Sequence, residues 1–230
     1  MTEFVFAPPA PVCVPVTNGQ LFPVRRIFCV GRNYAAHARE MGGDPTREPP
    51  FFFTKPADAV VINGQDTPYP SQTSNLHHEV ELVVAIGTGG HDIPAEKALA
   101  HVFGYAVGLD LTRRDLQDEA KAARRPWDMS KGFDASAPIS AIKPASECGH
   151  PASGRIQLLV NGTPRQSGDL ADQIWAVPDI ISALSQLVTL AAGDLIFTGT
   201  PEGVGALQKG DKLVAEIENI GILRTNIKGD

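Results

Sequence analysis

The segment His77–Gly87, HHEVELVVAIG, limits what this chain can fold into more than any other stretch. Val80, Leu82, Val83, Val84, Ala85 and Ile86 form the short apolar run of a buried core strand. Glu79 and Glu81 sit inside it. Side chains two apart along a strand share a face, so the two carboxylates are expected side by side, with Val80 and Leu82 opposite. Two such groups in a low-dielectric site repel. Either one takes up a proton or a cation holds both.

Around that strand the chain reads as many short strands with a few helices. Arg25–Gly31 (RRIFCVG) is a strand ending in a glycine turn, and a helix of about three turns follows over Arg32–Gly42. PFFFTKPADAVV reads as a strand interrupted at Lys55-Pro56, and IPAEKALAHVFG as a helix with Pro94 in its first turn and Gly104 ending it. GYAVGLDLT is a further buried strand, leading into a helix with Thr112 as N-cap. RIQLLVNGTPRQ is a hairpin about Asn161-Gly162, and VPDIISALSQLVTLAAGD a helix. No regular strand–helix–strand rhythm runs through the order. It predicts an α+β protein or mixed β-roll rather than a doubly wound sheet. The Pro-rich stretch 1–20 reads as an extended arm on a main domain spanning 21–230.

Composition narrows the function classes. A net charge of -6 argues against nucleic acid as a partner, because phosphate binding needs a basic surface. No apolar run approaches the ~20 residues that span a bilayer, so no membrane role is expected. MTEFVFAPPAPV lacks a basic region followed by a long apolar one, so no signal peptide is expected. Cys13, Cys29 and Cys148 are an odd set without CxxC spacing, which fits a reducing compartment and excludes a cysteine-rich zinc site. The expected location is the cytoplasm.

A third acid joins the glutamates. Asp110 closes the apolar strand GYAVGLD just before a helix; taken alone it equally reads as an acid at a helix start, as Glu79 and Glu81 equally read as an exposed edge strand. Together the three make an oxygen-rich set suited to a hard cation, Mg²⁺ or Mn²⁺, with Ca²⁺ also accommodated. His77 and His78 are adjacent, hence on opposite faces, and cannot both bind one ion. GTPEGVG is glycine-rich but lacks the G-x-x-x-x-G-K-[ST] form, so nucleotide binding is discounted.

In order, VGRNYAAHAREMG, PFFFTKPADAVV, HHEVELVVAIG, GYAVGLDLTRRDLQ, KGFDASAP and GDLIFTGTPEGVG resemble the fumarylacetoacetate hydrolase superfamily, over about residues 25–220. The likeness is to its short single-domain bacterial branch and, within that, to fumarylpyruvate hydrolases and acylpyruvases. It implies a mixed β-roll, usually a homodimer, with a divalent metal on Glu79, Glu81 and Asp110. It further implies that Glu40 orients His37, which takes a proton from the attacking water; the two stand at i and i+3 of one helix. Lys131 matches a lysine that reaches the substrate. Arg114, Gln117 and Thr200 match substrate-contacting positions.

The implied activity is hydrolysis of a carbon–carbon bond in a small 2,4-dioxo acid, with fumarylpyruvate giving fumarate and pyruvate in gentisate-type aromatic breakdown. The distal carboxylate of that substrate wants a cation, for which Arg32, Arg124 and Arg125 are candidates. Rival readings on the same scaffold are a broader acylpyruvase, an oxaloacetate decarboxylase, and an isomerase or decarboxylase of homoprotocatechuate breakdown. A non-catalytic metal-binding protein is the rival from another class.

Overall fold

The structure is a computed structural model that describes residues 4–40 and 49–229. Its centre is an eight-stranded mixed sheet. The strands run in the order Phe51–Lys55, Arg26–Gly31, Asp194–Phe197, Val80–Ile86, Val102–Leu109, Ala137–Ile139 and Val60–Ile62, with Lys143–Pro144 paired beside Val102–Leu109. Two of its pairings are parallel: Asp194–Phe197 with Arg26–Gly31, and Ala137–Ile139 with Val60–Ile62. The remaining neighbours are antiparallel. A five-stranded sheet of Thr163–Asp169, Arg155–Val160, Lys212–Ile217, Gly221–Lys228 and Thr67–Pro68 packs over one face. This is the α+β, mixed β-roll architecture that the strand-rich order predicts.

The apolar run explains itself once both faces are seen. All seven residues of Val80–Ile86 are buried. Leu82, Val84 and Ile86 point into the larger core, against Ile156, Leu158 and Leu213 of the second sheet and Ile180, Ile181 and Leu184 of the helix Val177–Leu187. Val83 and Ala85 point the other way, into a smaller core with Cys29, Ala106, Leu195 and Phe197. The hairpin of Cys13–Pro15 and Leu21–Pro23 covers that core with Val14 and Phe22, and Val16 and Val24 flank it.

Several local expectations are met. The Asn161-Gly162 turn has φ of 53° and 79°, as a tight hairpin between twisted strands requires. The break at Lys55-Pro56 is present, followed by a 3₁₀ turn over Ala57–Ala59.

Others are corrected. The helix after Pro94 covers only Ala95–Ala98 and passes through a 3₁₀ turn, Leu99–His101, into the strand Val102–Leu109. Gly104 therefore lies within a strand, where a Cβ would stand 2.4 Å from the Lys143 carbonyl oxygen. Close approach of backbone, not helix termination, is what needs glycine there. Thr112 does not cap the next helix, Arg114–Ala122; its hydroxyl donates to the Asp110 carbonyl instead. The helix expected over Arg32–Gly42 is described for Ala35–Glu40, and residues 41–48 lie outside the described residues.

Candidate active site

HHEVELVVAIG is not one continuous strand. Leu76–His78 belongs to a three-stranded sheet with Thr112–Arg113 and Gly205–Ala206, and Val80–Ile86 to the large sheet. Glu79 stands in the gap. Gln166, from the hairpin strand Thr163–Asp169, bridges it. Its Oε1 accepts from His78 Nδ1 (2.9 Å) and from the Val80 amide (3.1 Å), while its Nε2 donates to Thr200 Oγ1 (2.8 Å) and the Pro201 carbonyl (3.0 Å).

Glu79, Glu81 and Asp110 converge. All three are buried, and one oxygen from each lies within 4.8 Å of the others. Glu81 shares its side of the large sheet with Val83 and Ala85, and Asp110 follows the neighbouring strand Val102–Leu109. The Asp110 amide donates to the Glu79 carbonyl at 2.8 Å, which joins the two ligand-bearing segments through the backbone.

Among the described residues, three cations share the acids. Lys131 Nζ lies 2.8 Å from Glu79 Oε2 and 2.7 Å from Asp110 Oδ2. Arg114 Nη2 donates to Glu79 Oε1 at 2.5 Å. Lys55 Nζ is 2.8 Å from Asp110 Oδ1. That last contact is an ion pair without hydrogen-bond alignment, and Asp110 Oδ1 is a buried oxygen with no hydrogen bond. Lys55 Nζ donates instead to the carbonyls of Leu111 (3.1 Å) and Lys131.

The two glutamates titrate in opposite directions. Burial works to raise the Glu79 carboxyl but is outweighed by Lys131 and Arg114, which hold it below the usual range. Glu81 is raised well above that range, first by burial and then by the charges of Asp110 and Glu79; the Gly199 amide, donating to its Oε2 at 2.8 Å, opposes this. A buried acid pushed toward protonation, a second that is ionised, and a third with an orphaned oxygen form a donor set that fits a hard divalent cation. Neither adjacent histidine adds to it. His78 is held by Gln166. His77 accepts from Arg114 Nε at 3.4 Å and donates to Asn75 Oδ1 at 2.9 Å, and burial, then Arg114, push its pKa down to about 4.

Above the acids lies a cavity lined by Arg32, His37, Glu79, Glu81, Arg114, Gln117, Lys131 and Thr200, all selected from the sequence, with an aromatic wall of Phe51, Phe53 and Trp127. Asp110 sits behind the lining. Glu40 stands beside it, its Oε2 3.2 Å from His37 Nδ1. Glu40 also accepts from the Gly203 amide at 3.3 Å, which ties the helix to the GTPEGVG loop. Arg32 occupies the strand-to-helix turn with φ of 58°. Arg114 Nη1 donates to Gln117 Oε1 at 2.6 Å. Arg124 and Arg125 are exposed and do not line this cavity.

Sequence reasoning missed Lys55, Gln166 and Asn33. A lysine closing the aromatic run FFFT is the one local signal for Lys55. Asn33 is fully buried and ties the site's loops together. Its Nδ2 donates to the carbonyls of Trp175 (2.9 Å) and Thr198 (2.7 Å), and its Oδ1 accepts from the Trp175 amide (2.7 Å).

Comparison with known proteins identifies the family. A family model described as Fumarylacetoacetate (FAA) hydrolase C-terminal matches residues 26–228. A fumarylpyruvate hydrolase from Pseudomonas aeruginosa, solved in complex with Mn²⁺ and pyruvate, is similar at 54% identity with a TM-score of 0.97, over 99% of this chain and 100% of that one. A Burkholderia cenocepacia protein provisionally assigned as a fumarylpyruvate hydrolase is 55% identical with a TM-score of 0.93, over the whole of both chains. Among curated relatives, the mitochondrial oxaloacetate tautomerase FAHD1 of Rattus norvegicus is 43% identical over 204 residues, 89% of this chain and 92% of its own. The chain belongs to the fumarylacetoacetate hydrolase family.

Proposed function

We propose that the chain is a divalent-metal-dependent hydrolase that cleaves the carbon–carbon bond of a 2,4-dioxo acid, with fumarylpyruvate giving fumarate and pyruvate. One observation carries the reading: the buried Glu79–Glu81–Asp110 cluster opens into the same cavity as a His37–Glu40 pair. A metal site alone serves several reactions of an enol. A histidine held by a carboxylate beside it supplies the base that hydrolysis adds.

In this reading Glu79, Glu81 and Asp110 hold the cation, Mg²⁺ or Mn²⁺, with Ca²⁺ also within the donor set's range. When bound, it supplies Lewis-acid polarisation of the dioxo group. Glu40 accepts from His37 Nδ1, which leaves Nε2 as the ring's basic nitrogen. His37 takes a proton from water as the water oxygen bonds to the 4-oxo carbon. Lys131 stabilises the oxyanion so formed, and Gln117 donates to it. The bond between carbons 3 and 4 then breaks, its electron pair passes to the pyruvate half, and that half takes up a proton. Arg114 fixes Gln117 and Glu79 in place. Thr200, whose hydroxyl oxygen accepts from Gln166, offers its own proton to a substrate carboxylate. Arg32 supplies positive charge at the cavity mouth.

The test is a panel of fumarylpyruvate, maleylpyruvate, acetylpyruvate and oxaloacetate, each with and without chelator. Expected are loss of near-ultraviolet absorbance of the dioxo acids only when metal is present, and a 10²–10⁴-fold fall in kcat for His37→Ala. The 43% identity to an oxaloacetate tautomerase favours a second reading, in which the site acts on oxaloacetate without adding water. The same panel separates the two: turnover of oxaloacetate with the other dioxo acids left intact would favour this second reading over carbon–carbon cleavage.

The same proposal includes a cytoplasmic homodimer of arm 1–20 and catalytic domain 21–230, working in gentisate-type aromatic breakdown. Cys13, Cys29 and Cys148 are free thiols, in keeping with a reducing compartment, and among the described residues no helix is long and apolar enough to cross a membrane. Phe4, Val5, Phe6 and Leu21 leave apolar surface exposed for a second copy to cover. Light scattering of the purified protein at twice the monomer mass would support the dimer.

A further inference from the structure

The helix Arg114–Ala122 presents one stripe of its polar residues to the cavity. Arg114, Gln117 and Lys121 stand at i, i+3 and i+7, one stripe of the helix, and all three line the cavity. Arg114 and Gln117 are engaged at the acid end. Seven residues further along, Lys121 lies about 10 Å up the helix axis. That separation suits an extended seven-carbon diacid whose dioxo end is held over the acidic floor.

Among the described residues, four cations line the cavity: Arg32, Arg114, Lys121 and Lys131. Arg114 and Lys131 are committed to Glu79 and Asp110. Lys121 has a looser tie, 3.7 Å to Asp118 Oδ1, beyond hydrogen-bond length and to a side chain that is 61% exposed. Its ammonium lies 5.5 Å from the centre of the Trp127 ring, which holds it against the aromatic wall of the cavity. Burial lowers its pKa, and the positive charges of Arg114, Arg32 and Lys131 lower it further. An anion arriving among these groups relieves their mutual repulsion.

We propose that Lys121, backed by Trp127, binds the distal carboxylate of the substrate and thereby makes the site prefer dioxo diacids to dioxo monoacids. The inference rests on the hydrolase reading above and adds a specificity residue that the sequence did not single out.

The test compares the metal-loaded enzyme with Lys121→Met and Lys121→Arg on fumarylpyruvate and on acetylpyruvate, which has the same dioxo head without the distal carboxylate. The readout is the ratio of kcat/KM for the two substrates. Loss of one charge-assisted hydrogen bond corresponds to a ratio about 10–100-fold lower in Lys121→Met, with Lys121→Arg restoring most of the preference. Competitive inhibition by fumarate should weaken in parallel. An equal loss on both substrates, leaving the ratio at its wild-type value, would overturn the role of Lys121 while the hydrolase reading stands. A wild-type enzyme that cleaves neither substrate would overturn both.

Discussion

A lysine is costly to bury, and the Lys55 side chain has no exposed surface. Its charge is spent on Asp110, and its protons go to two backbone carbonyls. Replacing it by methionine keeps the volume and leaves Asp110 a buried charge without that partner. The expected cost is about 3–5 kcal/mol, read as a lower urea midpoint at unchanged slope. A midpoint equal to wild type would mean that Lys131 alone supports the acid. Such partnerships are why single residues were unevenly legible. Glu79, Glu81 and Asp110 stood out because charge is conspicuous inside apolar runs. Lys55 and Gln166 did not, because their partners are remote in sequence: the break at Lys55-Pro56 marks a strand end and says nothing of Asp110, and Gln166 breaks no local pattern.

Elements were legible where their signals are local. The Asn161-Gly162 hairpin and the helix that opens VPDIISALSQL carry their own turn chemistry and periodicity, although that helix stops at Leu187, where Val188 turns extended, short of the end of the stretch VPDIISALSQLVTLAAGD. The gap at Glu79 carries neither, since it is set by which of two sheets each half of the segment joins. The turn after Asp194–Phe197 is similar. Gly199 adopts φ of 97°, a Cβ there would fall 2.6 Å from Asn33 Cβ, and its amide donates to Glu81. Gly199→Ala is therefore expected to cost roughly 1–3 kcal/mol and to weaken Mn²⁺ binding, as checked by thermal melting and titration calorimetry. Unaltered binding would show that Glu81 does not depend on that amide for its position.

Across the whole molecule, the larger core is closed by a second sheet and a helix, and the smaller one by a single hairpin near the N-terminus. Cys29 lies in the smaller core, fully buried, with its thiol pKa raised first by that burial and next by Asp110. In the full chain it is expected to resist a thiol reagent at pH 8. Removing residues 1–20 takes away Val14 and Val16 and the pairing partner of Leu21–Pro23, and Cys29 should then react on mixing. Continued protection would show that the smaller core closes without the hairpin. In the site, the acids are rooted in or beside long sheet strands, whereas Arg32, His37, Trp127 and Lys121 hang from turns and short helices. A lineage can thus exchange its clientele by altering the periphery, one residue at a time, while the reactive floor is inherited intact.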